Sequence, residues 1–332
     1  MKINLNQYDI QIGEDTMDKI DESIRSFYPY KEIFIITDDN VFKLYKDFMI
    51  KKLSSFTLHF ISIEPFESSK SLKTYERVIN QLLDKKIRKN NLIIALGGGV
   101  VGDLAGFVAA TLFRGVDFIQ IPTTLLAMVD SSIGGKTGID LNQGKNLIGA
   151  FKNPVKVFID PIFLSTLPKV EYKNGLAETL KAGLIGNPKL YEYLKVNDKL
   201  TINEIIMAIE VKADIVKKDP FEKNERMFLN FGHTFGHAIE RHYDYAIKHG
   251  VAISYGMLFS LELGIKSKVT NPLLFDEVKK ILLRLELIKE PILDKEQFIG
   301  YIQYDKKNYS DGLRFVYLKD VGKPIIQKGV QL

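Results

Sequence analysis

Cysteine is absent from the 332-residue chain. That excludes a disulfide framework, a thiolate metal ligand and a cysteine nucleophile. Any metal must then be held by histidine and carboxylates, and histidine itself is scarce, with five in all. Apolar runs are also short, and none approaches the roughly 20 residues needed to span a bilayer. Met1-Lys2-Ile3-Asn4-Leu5 has neither the apolar core nor the cleavage site of a secretory signal. Together these absences predict a cytoplasmic protein with no membrane partner. Charge of one sign is in only mild excess, with 46 basic against 41 acidic residues and a net charge of +5. Nucleic-acid binders concentrate such charge in patches, whereas the lysines here are spread along the chain. Runs such as Asp84-Lys85-Lys86-Ile87-Arg88-Lys89 read as solvated helix ends. A small anionic substrate fits better than a nucleic acid.

The chain is 45% hydrophobic and 26% charged, an ordinary globular balance at a length that favours two domains. Residues 1–30 read as a short strand followed by an amphipathic helix. Apolar runs at Glu32–Thr37, Phe56–Ile63, Asn91–Leu96 and Phe118–Pro122 read as buried strands. Helical patterns beginning at Val41 and covering Leu72–Lys86 and Leu104–Phe113 separate them. The alternation predicts an α/β domain over residues 1–160, with a parallel sheet covered on both faces. From Pro161 the pattern turns helical: Tyr172–Ile185, Lys189–Leu194, Ile202–Lys218, Thr234–Tyr243, Val251–Lys266 and Leu274–Leu285. Residues 161–332 are therefore expected to form an all-helical domain, closed by a β-hairpin over Leu313–Leu318 and Lys323–Lys328.

Four of the five histidines, His233, His237, His242 and His249, cluster in one region. Imidazole is the commonest neutral metal ligand and titrates near pH 7. His233 and His237 are four apart and share a helix face. The same pair fits equally a helix with one buried and one surface histidine. His-Glu-x-x-His is absent, so the zinc-protease pattern does not apply. Gly232 and Gly236 are poor helix formers and make sense where backbones approach closely. His249, beyond a turn, is placed to complete a ligand set.

Gly97-x-Gly99-x-x-Gly102 follows a strand and opens a helix, the context that lets a backbone and a helix N-terminus meet a pyrophosphate. A tight turn with close helix–strand packing explains the same glycines. The acidic residue expected about 20 positions on is not evident, and Asp38 is an alternative ribose partner. Pro122 through Thr137 gathers hydroxyl residues, paired glycines and Lys136 directly after a strand. Its spacing is not that of a P-loop, which argues against an NTPase. Gly144-Lys145-Asn146 is a second anion handle. Glu178 and Lys181 lie three apart on a helix face, alone an ordinary surface pair. Lys212 sits mid-helix among apolar residues, where a lysine needs a partner.

Taken in order, these segments resemble the 3-dehydroquinate synthase family. The matching pieces are Gly97–Asp103, Pro122–Lys136, Gly144–Asn146, Leu164–Pro168, Gly175–Glu178 with Lys181, Arg226 with Leu229–His237, His249-Gly250 and Asp305-Lys306-Lys307. They span most of the chain. The resemblance implies an NAD-binding α/β domain, a helical metal domain, a site in the cleft between them and a homodimer. It implies the second step of the shikimate pathway, which leads to chorismate and the aromatic amino acids. Zn2+ or Co2+, one per subunit, would sit on Glu178, His233 and His249. NAD+ would meet Asp38, Asn40, Glu67, Lys70, Gly99, Asp103, Thr123, Thr124, Asp130, Lys136, Lys145 and Thr166. A sugar-phosphate substrate would meet Asp130, Lys136, Asn146, Lys181, Lys212, Arg226, Asn230, His237 and one of Lys306 or Lys307, with Arg114 reaching the partner's phosphate site.

The implied chemistry is oxidation at substrate C5, phosphate elimination beside the new ketone, reduction, ring opening and intramolecular aldol closure. Lys136, Asn146, Arg226, His237 and the Lys306/Lys307 pair would hold the phosphate. Lys181 and Lys212 would hold the carboxylate end, and His237 would assist proton transfer. Phe66 stands where the family has Gly, Asp219-Pro220 where it has Asp-Glu, and Asn224 where it has Gly. Alternatives are sister cyclases that make inosose, valiolone or aminodehydroquinate, a glycerol-type metal-dependent polyol dehydrogenase, and a non-catalytic dinucleotide-binding protein.

Overall fold

The computed structural model describes residues 1–141, 143–305 and 313–330. They form two compact units, Met1–Leu167 and Pro168–Leu332.

In the first unit the strands are β1 (Lys2–Asn4), β2 (Asp9–Ile12), β3 (Glu32–Asp38), β4 (Thr57–Ile63), β5 (Leu92–Gly97), β6 (Asp117–Pro122), β7 (Lys136–Leu141), β8 (Gly144–Phe151) and β9 (Lys156–Ile159). The helices are α1 (Ile20–Arg25), α2 (Asp39–Lys52), α3 (Leu72–Asp84) and α4 (Gly99–Thr111). Seven strands form one sheet in the order β1-β2-β9-β6-β5-β3-β4. It is parallel from β2 to β4, with β1 antiparallel at the edge. Ile33 to Ile36 and Leu92 to Leu96 are buried throughout, which is why these strands read as continuous apolar runs. α4 is nearly all apolar because Leu104, Ala105 and Val108 pack into the sheet core with Phe34, Ile93 and Phe118. α2 begins where Asp38 Oδ1 accepts the N–H groups of Asn40 and Val41 at 3.0 and 3.1 Å, an ordinary N-cap.

Four elements differ from the sequence reading. Residues 1–30 hold two strands rather than one, joined as a tight hairpin. The polar stretch after Gly135 is the β7–β8 hairpin, and β9 inserts between β2 and β6. The turn Pro161–Thr166, which the sequence reading grouped with the helical half, packs on the first unit: Phe163 lies 4.8 Å from the Tyr45 ring and Thr166 Oγ1 lies 2.5 Å from Tyr45 Oη.

The second unit contains α5 (Lys169–Gly186), α6 (Pro188–Leu194), α7 (Ile202–Lys218), α8 (His233–His242), α9 (His249–Lys266), α10 (Leu273–Arg284) and α11 (Ile299–Asp305). The hairpin of β10 (Arg314–Leu318) and β11 (Pro324–Lys328) follows. Thr201 and Glu204 form a reciprocal capping box at the start of α7, which fixes that boundary. α8 and α9 touch through glycines. A Cβ on Gly256 would lie 2.0 Å from the Gly232 carbonyl oxygen, and one on Gly236 would lie 2.4 Å from Ile253 Cδ1. Gly232 also has φ +82, a region that favours glycine. Among the described residues no helix is long and apolar enough to cross a membrane.

Candidate metal centre and dinucleotide loop

Three helices deliver one cluster in the second unit. Glu178 and Lys181 come from mid-α5, His233 opens α8 and His249 opens α9. Oε1 of Glu178 lies 3.3 Å from Nε2 of His249 and 3.7 Å from Nε2 of His233. One donor atom from each residue lies within 4.8 Å of the others. A tetrahedral zinc with bonds of about 2.0–2.1 Å separates its donors by about 3.3 Å, so small side-chain movements would close this set on an ion. The trio is a two-histidine, one-carboxylate site of the kind that leaves a coordination position open.

The buried carboxylate and the histidine shift one another, and the lysine acts on the carboxylate. Burial alone would raise the Glu178 carboxyl, but Lys181 and His249 outweigh it and hold the group below the usual carboxylate range. Glu178 is therefore an anion despite being almost wholly buried, with Lys181 paired to its Oε2. Burial would lower His249, yet Glu178 and Glu240 push it up to about 9. His237 lies one turn beyond His233, with its ring 5.3 Å from His233 and 6.5 Å from His249.

The turn Glu225–Asn230 leads into this cluster. Arg226 is buried, and its Nη1 donates to the Pro220 carbonyl. Asn230 Nδ2 donates to Glu222 Oε1 at 2.7 Å. Lys212 lies on α7 and is buried. Lys306 and Lys307 lie outside the described residues.

Sequence reasoning missed three residues around these positions. Glu240 Oε1 lies 3.4 Å from His249 Nδ1; His233, His237 and Glu240 follow the four-then-three spacing of one helix face, a signal present in the sequence. Glu222 holds Asn230. Asp219 accepts the backbone N–H groups of Lys223, Asn224 and Arg226 at 3.0, 2.6 and 3.1 Å. No periodicity points to either of the last two.

In the first unit β3 and β5 are adjacent, and the chain continues outward from each, through β4 on one side and β6 on the other. The crevice beyond such a reversal is where open α/β sheets bind ligands. Gly97 ends β5, Gly98 caps α4 without a side chain, and Gly99 begins it. A Cβ on Gly98 would lie 3.1 Å from Thr124 Cγ2, and one on Gly99 would lie 3.2 Å from Ser131 Oγ. The helix N-terminus is thus bare backbone beside Thr124, as a pyrophosphate site requires. Gly102 has the packing role, because a Cβ there would meet Gln120 Oε1 of β6 at 2.8 Å.

Asp38, Thr123 and Thr124 lie at the C-terminal strand ends, Asn40 in the first turn of α2, Asp103 on α4, Asp130 in the wide turn Ala127–Ser131 and Thr166 beside Tyr45. Lys136 starts β7, and Lys145 and Asn146 lie in β8. Arg114 ends the turn Leu112–Arg114, and Phe113, Arg114 and the following Gly115 all have positive φ. Glu67 and Lys70 flank a short turn, where Lys70 Nζ lies 2.8 Å from Asp103 Oδ2 and Lys145 Nζ lies 3.5 Å from Glu67 Oε1. Burial would lower the Lys70 ammonium, but Asp103, Glu67 and Asp140 raise it above its ordinary value. Phe66 has φ −126, extended backbone that needs no glycine.

A glycine-opened dinucleotide crevice and a Glu–His–His cluster beside a buried lysine define a metal-dependent, NAD-using α/β enzyme. The solved structure of 2-deoxy-scyllo-inosose synthase, complexed with carbaglucose-6-phosphate, NAD+ and Co2+, is similar at a TM-score of 0.89 and 25% identity, over 99% of this chain and 96% of that one. Family models described as 3-dehydroquinate synthase N-terminal and 3-dehydroquinate synthase C-terminal match residues 60–174 and 175–308. The 3-dehydroquinate synthase of Clostridium perfringens (strain 13 / Type A) is 42% identical, over 98% of this chain and 97% of that protein. That of Clostridium kluyveri is 39% identical, over 97% and 92%. The chain belongs to the 3-dehydroquinate synthase family.

Proposed function

We propose that the protein converts 3-deoxy-D-arabino-heptulosonate 7-phosphate to 3-dehydroquinate and inorganic phosphate. Family membership supports the reaction. The single structural observation that carries the reading is the buried Glu178 facing His233 and His249 while paired to Lys181. Bound at these groups, Zn2+ or Co2+ would polarise a substrate hydroxyl, and NAD+ held by the α/β unit would take up and return a hydride.

The chain's own residues supply the rest. Lys181 and Lys212 offer buried ammonium groups to the substrate carboxylate. Lys136, Asn146, Arg226 and His237 are the residues assigned to the phosphate. Arg226 brings the planar fork suited to bidentate phosphate recognition. His237, next to the metal ligands, is placed to move a proton as the phosphate leaves. The working form is a cytoplasmic homodimer with one metal ion per subunit, in which Arg114 reaches the partner's phosphate site.

Identification of the product tests the reading. Purified protein with NAD+, Zn2+ and this substrate should yield 3-dehydroquinate by NMR. A different carbocycle would move the protein to a sister cyclase, and no carbocycle would reject the reading.

A further inference from the structure

In the α/β unit one buried ammonium joins the residues expected at the cofactor to one expected at the substrate. Lys70 is 4% exposed, and its Nζ lies 2.8 Å from Asp103 Oδ2 and 2.6 Å from Asn146 Oδ1. Glu67 Oε1 and Asp140 Oδ1 are farther off, at 3.6 and 3.8 Å. The backbone is tied in as well. The Lys70 carbonyl accepts the N–H of Asp140 at 2.6 Å, and Asp140 Oδ1 accepts the N–H of Asn146 at 2.7 Å. Asn146 has φ 54, a left-handed conformation that asparagine tolerates and that persists where its surroundings hold it.

The chemistry of the pair settles the orientation of the amide. An ammonium has donors and no acceptor, so the Asn146 atom that faces it is the carbonyl oxygen. The reversed amide would set two donor groups against each other. The Nδ2–H2 group is thereby turned away from Lys70, on a residue that is itself exposed, and it offers donors only.

We propose that Lys70 is a positioning residue for the substrate, acting through Asn146: it holds the amide with its donors outward, where they donate to a phosphate or hydroxyl oxygen and reject a donor. The inference rests on Asn146 being a substrate contact, and it gives Lys70 a second role beside the cofactor contact. A Lys70 that served only to neutralise Asp103 and Asp140 would have no reason to act through Asn146.

A double-mutant cycle on the full chain, with NAD+ and Zn2+ saturating, separates these roles. Lys70→Met removes the donor and Asn146→Ala removes the amide. Each single variant should raise the KM for 3-deoxy-D-arabino-heptulosonate 7-phosphate about tenfold, the worth of one hydrogen bond to a charged group, with kcat changing less. The double variant should be no worse in KM than Asn146→Ala. NAD+ affinity by calorimetry should fall equally with Lys70→Met in both backgrounds and be unmoved by Asn146→Ala. Lys70→Gln, which retains a donor, should recover part of the KM. If Lys70→Met does not fold, Lys70→Ala takes its place in the cycle. A full additional loss from the Lys70 variant in the Asn146→Ala background would overturn the positioning role. An unchanged KM in Asn146→Ala alone would remove Asn146 from the substrate site, and the proposal with it.

Discussion

The Nδ1 of His249 lies 3.4 Å from Oε1 of Glu240, a carboxylate almost wholly buried on α8. Nε2 on the other side of the same ring faces Glu178. A carboxylate behind a metal-binding imidazole fixes its tautomer and orientation, and loss of such a partner typically costs 10–100-fold in metal affinity. Glu240→Gln is therefore expected to weaken Zn2+ binding by about 10–100-fold, with the circular dichroism unchanged. Chelator competition measures it, and wild-type affinity in the variant would contradict the assignment.

The contact of Gly256 with the Gly232 carbonyl sets the spacing of the helices that carry His233 and His249. Gly256→Ala places a methyl group against backbone, which cannot rotate away. Overpacking of this kind costs about 1–3 kcal/mol. The variant should melt at a lower temperature and bind Zn2+ more weakly. An unchanged melting temperature would show that the helices can separate freely.

Asp219 connects acid to the arginine turn. Burial would raise its carboxyl, but the N–H groups of Lys223, Asn224 and Arg226, and the nearby guanidinium, hold it below the usual carboxylate range. A lowered folded pKa contributes stability that is present above the unfolded value of about 3.9 and lost as pH falls through the folded value. Asp219→Asn should lose about 1–3 kcal/mol at pH 7. The gap to wild type should hold down to about pH 5 and shrink below about pH 4. Urea midpoints across pH measure this; a gap independent of pH would contradict it.

Arg226→Ala removes a guanidinium from the residues assigned to phosphate. The substrate KM should rise by about 10–100-fold, the range for a charge-assisted pair, while NAD+ affinity stays unchanged. An equal fall in NAD+ affinity would show that Arg226 serves the fold rather than phosphate.

Much of this was readable in the chain because particular residues carried local signals. α7 was read to the residue, since Thr201 and Glu204 cap it and Asp219-Pro220 follow its end. β3 and β5 were evident because both faces are buried and their apolar runs are unbroken. The split of the N-terminal strand into β1 and β2, and the strand β9, are not legible because each has only three or four residues, too short for a period to show. β7 and β8 carry no strand signal in the sequence because Gly138 and Gly149 face each other's backbone where side chains would otherwise mark a strand. A Cβ on Gly138 would lie 2.7 Å from the Ile148 carbonyl oxygen. Scarcity of histidine drew attention to His233 and His249. The convergence of Glu178 on them is a tertiary fact that spacing alone does not contain, and the tie between Lys70 and Asn146 joins residues 76 positions apart.

The most direct test follows NADH absorbance and phosphate release together, in one reaction with NAD+ supplied only in amounts comparable to enzyme. In a phosphate-eliminating cyclase, oxidation and reduction occur on the same bound substrate, so the cofactor is regenerated at each turnover. One phosphate should appear per substrate consumed, over many turnovers, with no NADH accumulating at steady state. Stoichiometric NADH accumulation without phosphate release would contradict the account.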